Sequence, residues 1–366
     1  MLSFQPPAVG EEEIEAVART IRSGWLTTGP NAAELERRFA AYVGAKHALA
    51  VSSGTAAMHL TLVALGIGPG DEVITTPITW PATANVVVHA GATPAFVDVR
   101  ESDLNIDPEA VKAAITERTK AIMPVHLAGQ PADLDPIWSL GLPVIEDAAH
   151  AAESEYRGRK IGGLSDATCF SLYATKNVAA GEGGIVTTNR DDVADAIREL
   201  RLMRRHGGSL YDIAVPGYKA NLSDVLAAIA LVQLDKLEGH REIRLRYFAA
   251  YDEAVSDLDG IEPLRRDDRD LHALHLYVVR IDPERAGGTR DDYAELLAEE
   301  NIATSIHFLP VHTLTAYREL FPGHPSLPVA ERAGAQVLSL PLSPAHSHED
   351  IADVIDALRR VHARLT

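Results

Sequence analysis

The chain has 366 residues, 46% of them hydrophobic and 23% charged, enough for a sizeable core, and at roughly 100 to 200 residues per domain it divides into two. The 52 acidic residues against 34 basic ones give a net charge of −18, which repels phosphate backbones and anionic lipid, so neither nucleic acid nor a membrane is an expected partner. The single cysteine, Cys169, excludes an internal disulfide and a multi-thiolate zinc site, and no metal is expected. The opening MLSFQPPAVGEEE is acidic where a signal peptide is basic and then apolar, and no apolar run nears the roughly 20 residues that span a bilayer, which predicts a cytoplasmic protein.

Helical and strand patterns alternate along most of the chain. Glu11 to Arg22 reads as an amphipathic helix with Ile14, Val17 and Ile21 inward, and Ala32 to Val43 as another with Leu35, Phe39 and Val43 on one face. The loop GWLTTGP separates them. Strand His47 to Val51, turn Ser52 to Thr55 and helix Ala56 to Leu65 follow, then strand Glu72 to Thr76, a helix over Pro81 to Ala90 and strand Thr93 to Asp98. A helix after Pro108, strand Ala121 to Val125 and the apolar run Leu142 to Ile145, ended by Glu146 and Asp147, continue the alternation. Strand Thr168 to Tyr173 and the strand in GEGGIVTTN come next. Continuous apolar strands between helices predict an α/β fold with a largely parallel sheet covered on both faces. A long helix runs from Ser223 to about Ala250, and the tail holds strands near Leu274 to Ile281 and helices near Asp291 to Glu300 and Ser347 to Leu365, the last with Ser347 and Asp350 as a capping box. The expected division is a large domain over 1–240, including an N-terminal segment 1–30, and a smaller α+β domain over 241–366.

In a mostly parallel sheet ligands bind at the carboxyl ends of strands, and three features stand there. Ser52, Ser53, Gly54 and Thr55 join a strand to a helix, where free amides favour a phosphate, although Ser and Thr also cap helices with no ligand. Asp147 closes the most apolar strand, where a carboxylate needs a cation: a protonated ring nitrogen or an arginine of the fold. Lys176 follows the strand CFSLYA and precedes a glycine-rich turn; partial burial there would depress its pKa and suit a Schiff base, while a lone lysine at a strand end is also a common surface residue. No P-loop and no GxGxxG after a strand is present, which weighs against a Rossmann-type redox enzyme. A phosphate cradle, a strand-end Asp and a strand-end Lys together meet the needs of pyridoxal 5'-phosphate: an anchor for its phosphate, an anion for its pyridinium and an amine for its aldehyde.

The segments SGWLTTGP, AVSSGTAAMHL, TPITWPATANVV, VHLAGQPADLD, VIEDAAHAAESEYRGRKIGG, FSLYATKNVAAGEGGIVTT, GYKANLSDVLAAIALVQLDKL, SIHFLPVH and LSLPLSP span nearly the whole chain. With them the sequence resembles the DegT/DnrJ/StrS family of nucleotide-sugar aminotransferases, which have the aspartate-aminotransferase fold (fold type I). The resemblance implies that Lys176 is the Schiff-base lysine and the base that moves the proton, and that Asp147 pairs with the pyridinium nitrogen. It implies that Gly54, Thr55 and Ser171 hold the phosphate, that Trp80 stacks on the cofactor face and that His150 contacts the ring hydroxyl. Many members read GYNYR where this chain reads Lys219, Ala220 and Asn221, a form more similar to the GYKYN subgroup, among them enzymes that aminate C4, although Ala220 replaces the usual aromatic; the resemblance implies Asn221 as a phosphate ligand of the neighbouring subunit's cofactor. Thr28, Lys219, His307 and His312 are implied as substrate contacts. The implied activity is transfer of an amino group from L-glutamate to a dTDP- or UDP-linked keto sugar, most simply a 4-keto sugar, by a homodimer with shared sites. A sugar 3-aminotransferase and a non-catalytic, cofactor-binding regulatory paralogue are the alternatives, whereas Lys176 argues against the sugar 3-dehydratases, which carry histidine there.

Overall fold

The computed structural model describes residues 1–202, 212–213 and 215–366. Helices α1 (Glu11–Ser23) and α2 (Pro30–Val43) open the chain, followed by β1 (His47–Val51), α3 (Gly54–Ala64), β2 (Glu72–Thr75), α4 (Ala82–His89), β3 (Thr93–Phe96), α5 (Pro108–Ala114), β4 (Thr119–Met123), α6 (Leu134–Trp138) and β5 (Ile145–Asp147). A short hairpin, β6 (Glu155–Tyr156) with β7 (Arg159–Lys160), precedes β8 (Ala167–Ser171), β9 (Gly184–Thr188) and α7 (Asp191–Leu200). After α8 (Asp224–Val255) come β10 (Ile261–Pro263), β11 (Tyr277–Ile281), α9 (Arg290–Glu299), α10 (Thr315–Leu320), α11 (Pro328–Gln336), β12 (Val337–Leu340) and α12 (His348–Leu365).

Two groups of strands form one sheet. β3-β2-β4 is parallel throughout, and the bridges Ile122 to Val144 and Val125 to Asp147 join β4 to the end of β5, which continues as β5-β8-β9-β1. β9 runs against both β8 and β1, and β5 pairs parallel with β8, so the sheet is mixed with a single reversed strand. Alternate residues of each strand feed opposite layers. In β1, Ala48 and Ala50 join the layer of Leu35 and Phe39 on α2, while Leu49 and Val51 join that of Leu60 and Leu62 on α3. Both faces are thus buried, which is why these strands read as continuous apolar runs.

The second core surrounds the antiparallel sheet β10-β11-β12 and is built from Tyr247, Phe248 and Tyr251 of α8, Tyr293 and Leu297 of α9, and Val354, Leu358 and Val361 of α12. The capping box at Ser347 and Asp350 forms as the sequence suggests. α8 is continuous over 32 residues, about 48 Å at 1.5 Å per residue, and belongs to both cores, Leu234 and Leu237 to the first and Tyr251 to the second. We propose a domain boundary at 240/241, inside this helix. The first residues of the chain reach the second core: Leu2 N donates to Asn301 O (2.7 Å), Leu342 N to Phe4 O (3.1 Å) and Ser343 Oγ to Pro6 O (2.5 Å). No helix among the described residues is long and apolar enough to cross a membrane, and no group of three metal-ligating side chains occurs among them.

One expectation is overturned. α1 forms, yet Ile14 and Ile21 are 59% and 56% exposed and Val17 is half-buried, whereas Glu13, Ala16 and Thr20 face inward. The cause is polar matching with α8: the Glu13 carboxylate accepts from Gln233 Nε2 (2.9 Å) and Lys236 Nζ (2.8 Å), so this face docks by hydrogen bonds and leaves the apolar stripe outside.

Candidate active site

The carboxyl ends of the strands and the start of the second core enclose a cleft of about 460 Å³. At one wall, α3 begins at Gly54 behind the cap Ser53, whose Oγ accepts from Ala56 N (3.0 Å). The cap reading therefore holds for Ser53, and the amides of Gly54 and Thr55 still have no acceptor among the described residues, as expected at the first two positions of a helix. A Cβ on Gly54 would stand 3.0 Å from Ser171 Cβ, and one on Gly184 would stand 2.3 Å from Ser53 O. Glycine at both positions lets α3, β8 and β9 close on a small amide-lined cradle beside Ser171.

Asp147 ends β5 at the floor and is 5% exposed. Its Oδ2 accepts from Thr83 Oγ1 (2.7 Å) and its Oδ1 from Ala149 N (3.1 Å). Burial raises the carboxyl above the usual carboxylate range, opposed by these bonds and by the charge of Lys176. No arginine reaches it among the described residues, so the cation it calls for is not supplied by the fold. Its neighbour Glu146 points to the other face of β5 and pairs with His126 Nε2 (2.8 Å) and Thr168 Oγ1 (2.9 Å).

Lys176 follows β8 in a turn held by Lys176 N to Tyr173 O (2.8 Å), and it lines the cleft half-buried. Burial lowers its ammonium to about 8, with Asp147 acting in the opposite sense. Lys160 and Lys236, which from the sequence would be expected in helical or loop stretches on the surface, are half-buried and tied to Glu155 and Glu13. His150 is buried with its ring stacked on those of His275 (centroids 4.4 Å) and Phe308 (6.0 Å), and its Nδ1 has no partner among the described residues. Burial, then Lys176, hold it well below the usual imidazole range, so it is neutral. Trp80 stands at the rim, 66% exposed and 6.4 Å from Phe308.

Of the expected substrate contacts only His307 lines the cleft, its Nδ1 2.8 Å from Ser339 Oγ and its pKa lowered to about 4 by burial. His312 is directed elsewhere: it is buried beside Phe96 and His324, with Nε2 3.2 Å from Glu331. Thr28, Lys219 and Asn221 form a separate cluster outside the cleft of their own chain. Asn221 Nδ2 donates to Thr28 Oγ1 (2.6 Å), Thr28 Oγ1 to Leu222 O (2.6 Å), and the Lys219 ammonium to Asn221 Oδ1. The segment pairs with the end of β1 through Ser52 N to Ala220 O (2.8 Å), next to the cradle. Thr83, His275, Phe308, Gln5, Tyr173 and Glu182 also line the cleft and were not foreseen. The one available signal for Thr83, which is fully buried, was its place one helical turn beyond Trp80 in the segment TPITWPATANVV.

Comparison with known proteins agrees with this geometry. Residues 7–359 match the DegT/DnrJ/EryC1/StrS aminotransferase family. The chain is 46% identical to the spore coat polysaccharide biosynthesis protein SpsC of Bacillus subtilis (strain 168), over 98% of this chain and 97% of that protein. It superposes on Spr1654 of Streptococcus pneumoniae in its PLP form with a TM-score of 0.93 at 33% identity, covering 100% of this chain and 99% of that one. It superposes on DesI in the presence of its TDP-sugar product with a TM-score of 0.92 at 35% identity, covering 100% and 93%. With the cradle, the strand-end Asp and the cleft lysine in place, the chain belongs to the DegT/DnrJ/EryC1/StrS family and is a sugar aminotransferase of fold type I that uses pyridoxal phosphate.

Proposed function

We propose that the enzyme transfers an amino group from L-glutamate to a dTDP- or UDP-linked keto sugar, aminating C4, and that Lys176 and Asp147 carry the chemistry. One observation supports this above the others: a lysine whose ammonium is lowered to about 8 and a buried carboxylate with no ion pair among the described residues share one cleft with a helix N-terminus whose first amides have no acceptor there. These residues fit pyridoxal phosphate on the chain's own terms. The orphan Nδ1 of His150 and the cradle that a Cβ on Gly54 or Gly184 would crowd both await a polar group.

When bound, the cofactor supplies an aldehyde for a Schiff base and a ring that draws electrons from the substrate carbon. The amides of Gly54 and Thr55 and the Ser171 hydroxyl hold a phosphate, where the helix dipole favours negative charge. Asp147, fixed in two directions by Thr83 and Ala149, would pair with the ring nitrogen and hold its proton. Lys176 is close enough to neutrality to take and return the substrate carbon's proton. His150 and Trp80 would contact the ring and His307 the sugar, all three lining the cleft. Asn221, with Thr28 and Lys219, would serve the cleft of a second copy, in keeping with a homodimer. The exposed Ile14, Ile21, Trp25 and Leu26, with the half-buried Val225, Leu226, Ile229, Leu231 and Val232 of α8, give such a dimer an apolar contact.

The test is a panel of dTDP- and UDP-linked keto sugars incubated with the holoenzyme and glutamate, read by mass spectrometry for exchange of ketone oxygen for amine. Product from a 4-keto sugar with conversion of glutamate to 2-oxoglutarate is the expected result. Exclusive turnover of a 3-keto sugar, or of no sugar, overturns the reading.

A further inference from the structure

Behind Lys176 runs a buried polar chain that the reaction scheme above does not use. Asn177 follows the lysine directly, and its side chain is buried and satisfied three times: Nδ2 donates to Glu153 Oε2 (2.7 Å) and to Ala273 O (3.2 Å), and Oδ1 lies 2.8 Å from His275 Nδ1. Glu153 is in turn paired with Arg244 of α8; they are 0% and 2% exposed. The amide orientation follows from its surroundings. Reversed, its oxygen would face a carboxylate and a carbonyl, two acceptors, so Nδ2 must point at them and Oδ1 at the imidazole. An amide oxygen only accepts, so His275 Nδ1 must carry a hydrogen. The His275 ring then lies under His150 at 4.4 Å and 28°.

We infer that Asn177 is a positioning residue for the reactive amine: the chain Arg244, Glu153, Asn177, His275 anchors the lysine's turn to α8 and locks His275 as the Nδ1–H tautomer beneath His150. The effect is mechanical at one end and electronic at the other. The backbone of Lys176 cannot shift without breaking a hydrogen bond made by its neighbour to a fully buried carboxylate, a costly loss in the absence of water. At the other end His275 stays neutral, because burial and Lys176 both disfavour its charged form, so the plate behind His150 does not add a second cation beside the lysine. This inference rests on the reading of Lys176 as the Schiff-base residue.

Histidine-selective ¹⁵N labelling of the holoenzyme, with the resonance identified in His275→Gln, should show Nδ1 protonated and Nε2 unprotonated. The Asn177→Ser holoenzyme should lose that preference, shift the pH midpoint of the visible absorbance of the lysine-bound cofactor, and show kcat reduced about tenfold, the loss of one hydrogen bond, with both KM values within about threefold. His275→Asn, whose amide nitrogen can stand where Nδ1–H stands, should retain more of kcat than His275→Leu. An Nε2–H tautomer or an imidazolium in the unmodified holoenzyme overturns the inference and needs no variant to fold. So does an Asn177→Ser protein that melts earlier but keeps kcat and the spectral midpoint. Borohydride reduction and peptide mapping locate the attachment independently: cofactor mass on a peptide without Lys176 defeats the Schiff-base reading, while the tautomer stands or falls on the NMR alone.

Discussion

Asp147 shows how little separates a structural carboxylate from a functional one. It receives two neutral hydrogen bonds and no ion pair among the described residues, so burial outweighs these bonds and the more distant charge of Lys176, and its carboxyl titrates higher than an ordinary Asp. A protonated ring nitrogen opposite it would reverse that balance. Asp147→Asn keeps the shape and both local contacts and removes the charge that keeps such a nitrogen protonated. It should retain cofactor and transaminate at least about a hundredfold more slowly, roughly 3 kcal/mol of transition-state stabilisation; near-normal turnover would defeat the assignment. Lys176 gives a second test, on stability. Without cofactor its folded pKa is about 8 against 10.5 for the free side chain, so between those values the unfolded chain binds more protons. Stability of the cofactor-free enzyme in urea should therefore rise as pH goes from about 8 to 10.5, and Lys176→Met should remove that rise. A slope unchanged by the substitution would show that other groups cause it. Both residues were legible in the sequence because each follows an apolar strand. Thr83, Asn177 and His275 were not, because their importance lies in side chains brought from separate elements, and no local periodicity records such meetings.

At the scale of elements, the strands of the main sheet were readable because both its faces are covered, so burial and apolar sequence coincide, whereas the short α6, α10, β10 and β12 and the helices α7 and α11 were not predicted. α1 departed from its expected orientation because periodicity identifies a stripe without saying what covers it, and Glu13 made a better anchor for α8 than Ile14. The start of α8 carries another element-level device that periodicity does not reveal. Asp224, 0% exposed, accepts from Gly29 N (2.7 Å), Asn31 N (3.0 Å) and Ala32 N (3.0 Å), capping α2 from 190 residues away and fixing the loop that carries Thr28. Asp224→Asn turns an amide toward one of those donors. It should cost about 1–3 kcal/mol in chemical denaturation, the penalty of a buried group left without its partner. A stability change under about 0.5 kcal/mol would mean that the loop is held by other contacts.

At the scale of the whole molecule, Thr28, Lys219 and Asn221 do not line the cleft of their own chain, and we propose that they serve that of a second copy. If two copies share sites, mixing inactive Lys176→Ala protein with weakly binding Asn221→Ala protein should restore activity, since one site of a mixed dimer holds both residues intact. No recovery after confirmed subunit exchange, or a monomer at working concentration, would sink the shared-site proposal. On the early part of α8 five apolar residues are only half-buried in the single chain, a surface that such a dimer would cover. The lone Cys169 has a separate consequence. It lies on β8 in register with Asp147 on β5, buried to 1% exposure and with its thiol pushed far above the usual range. Its Sγ lies 3.6 Å from Thr61 Oγ1 of α3, so a thiol reagent reaches it only when the packing of α3 on these strands opens, and the rate of its modification is a clock for that opening beside the cleft floor. Saturating pyridoxal phosphate should slow that clock about a hundredfold at a hundred times its dissociation constant, and unchanged labelling would place ligand binding away from this pair of strands.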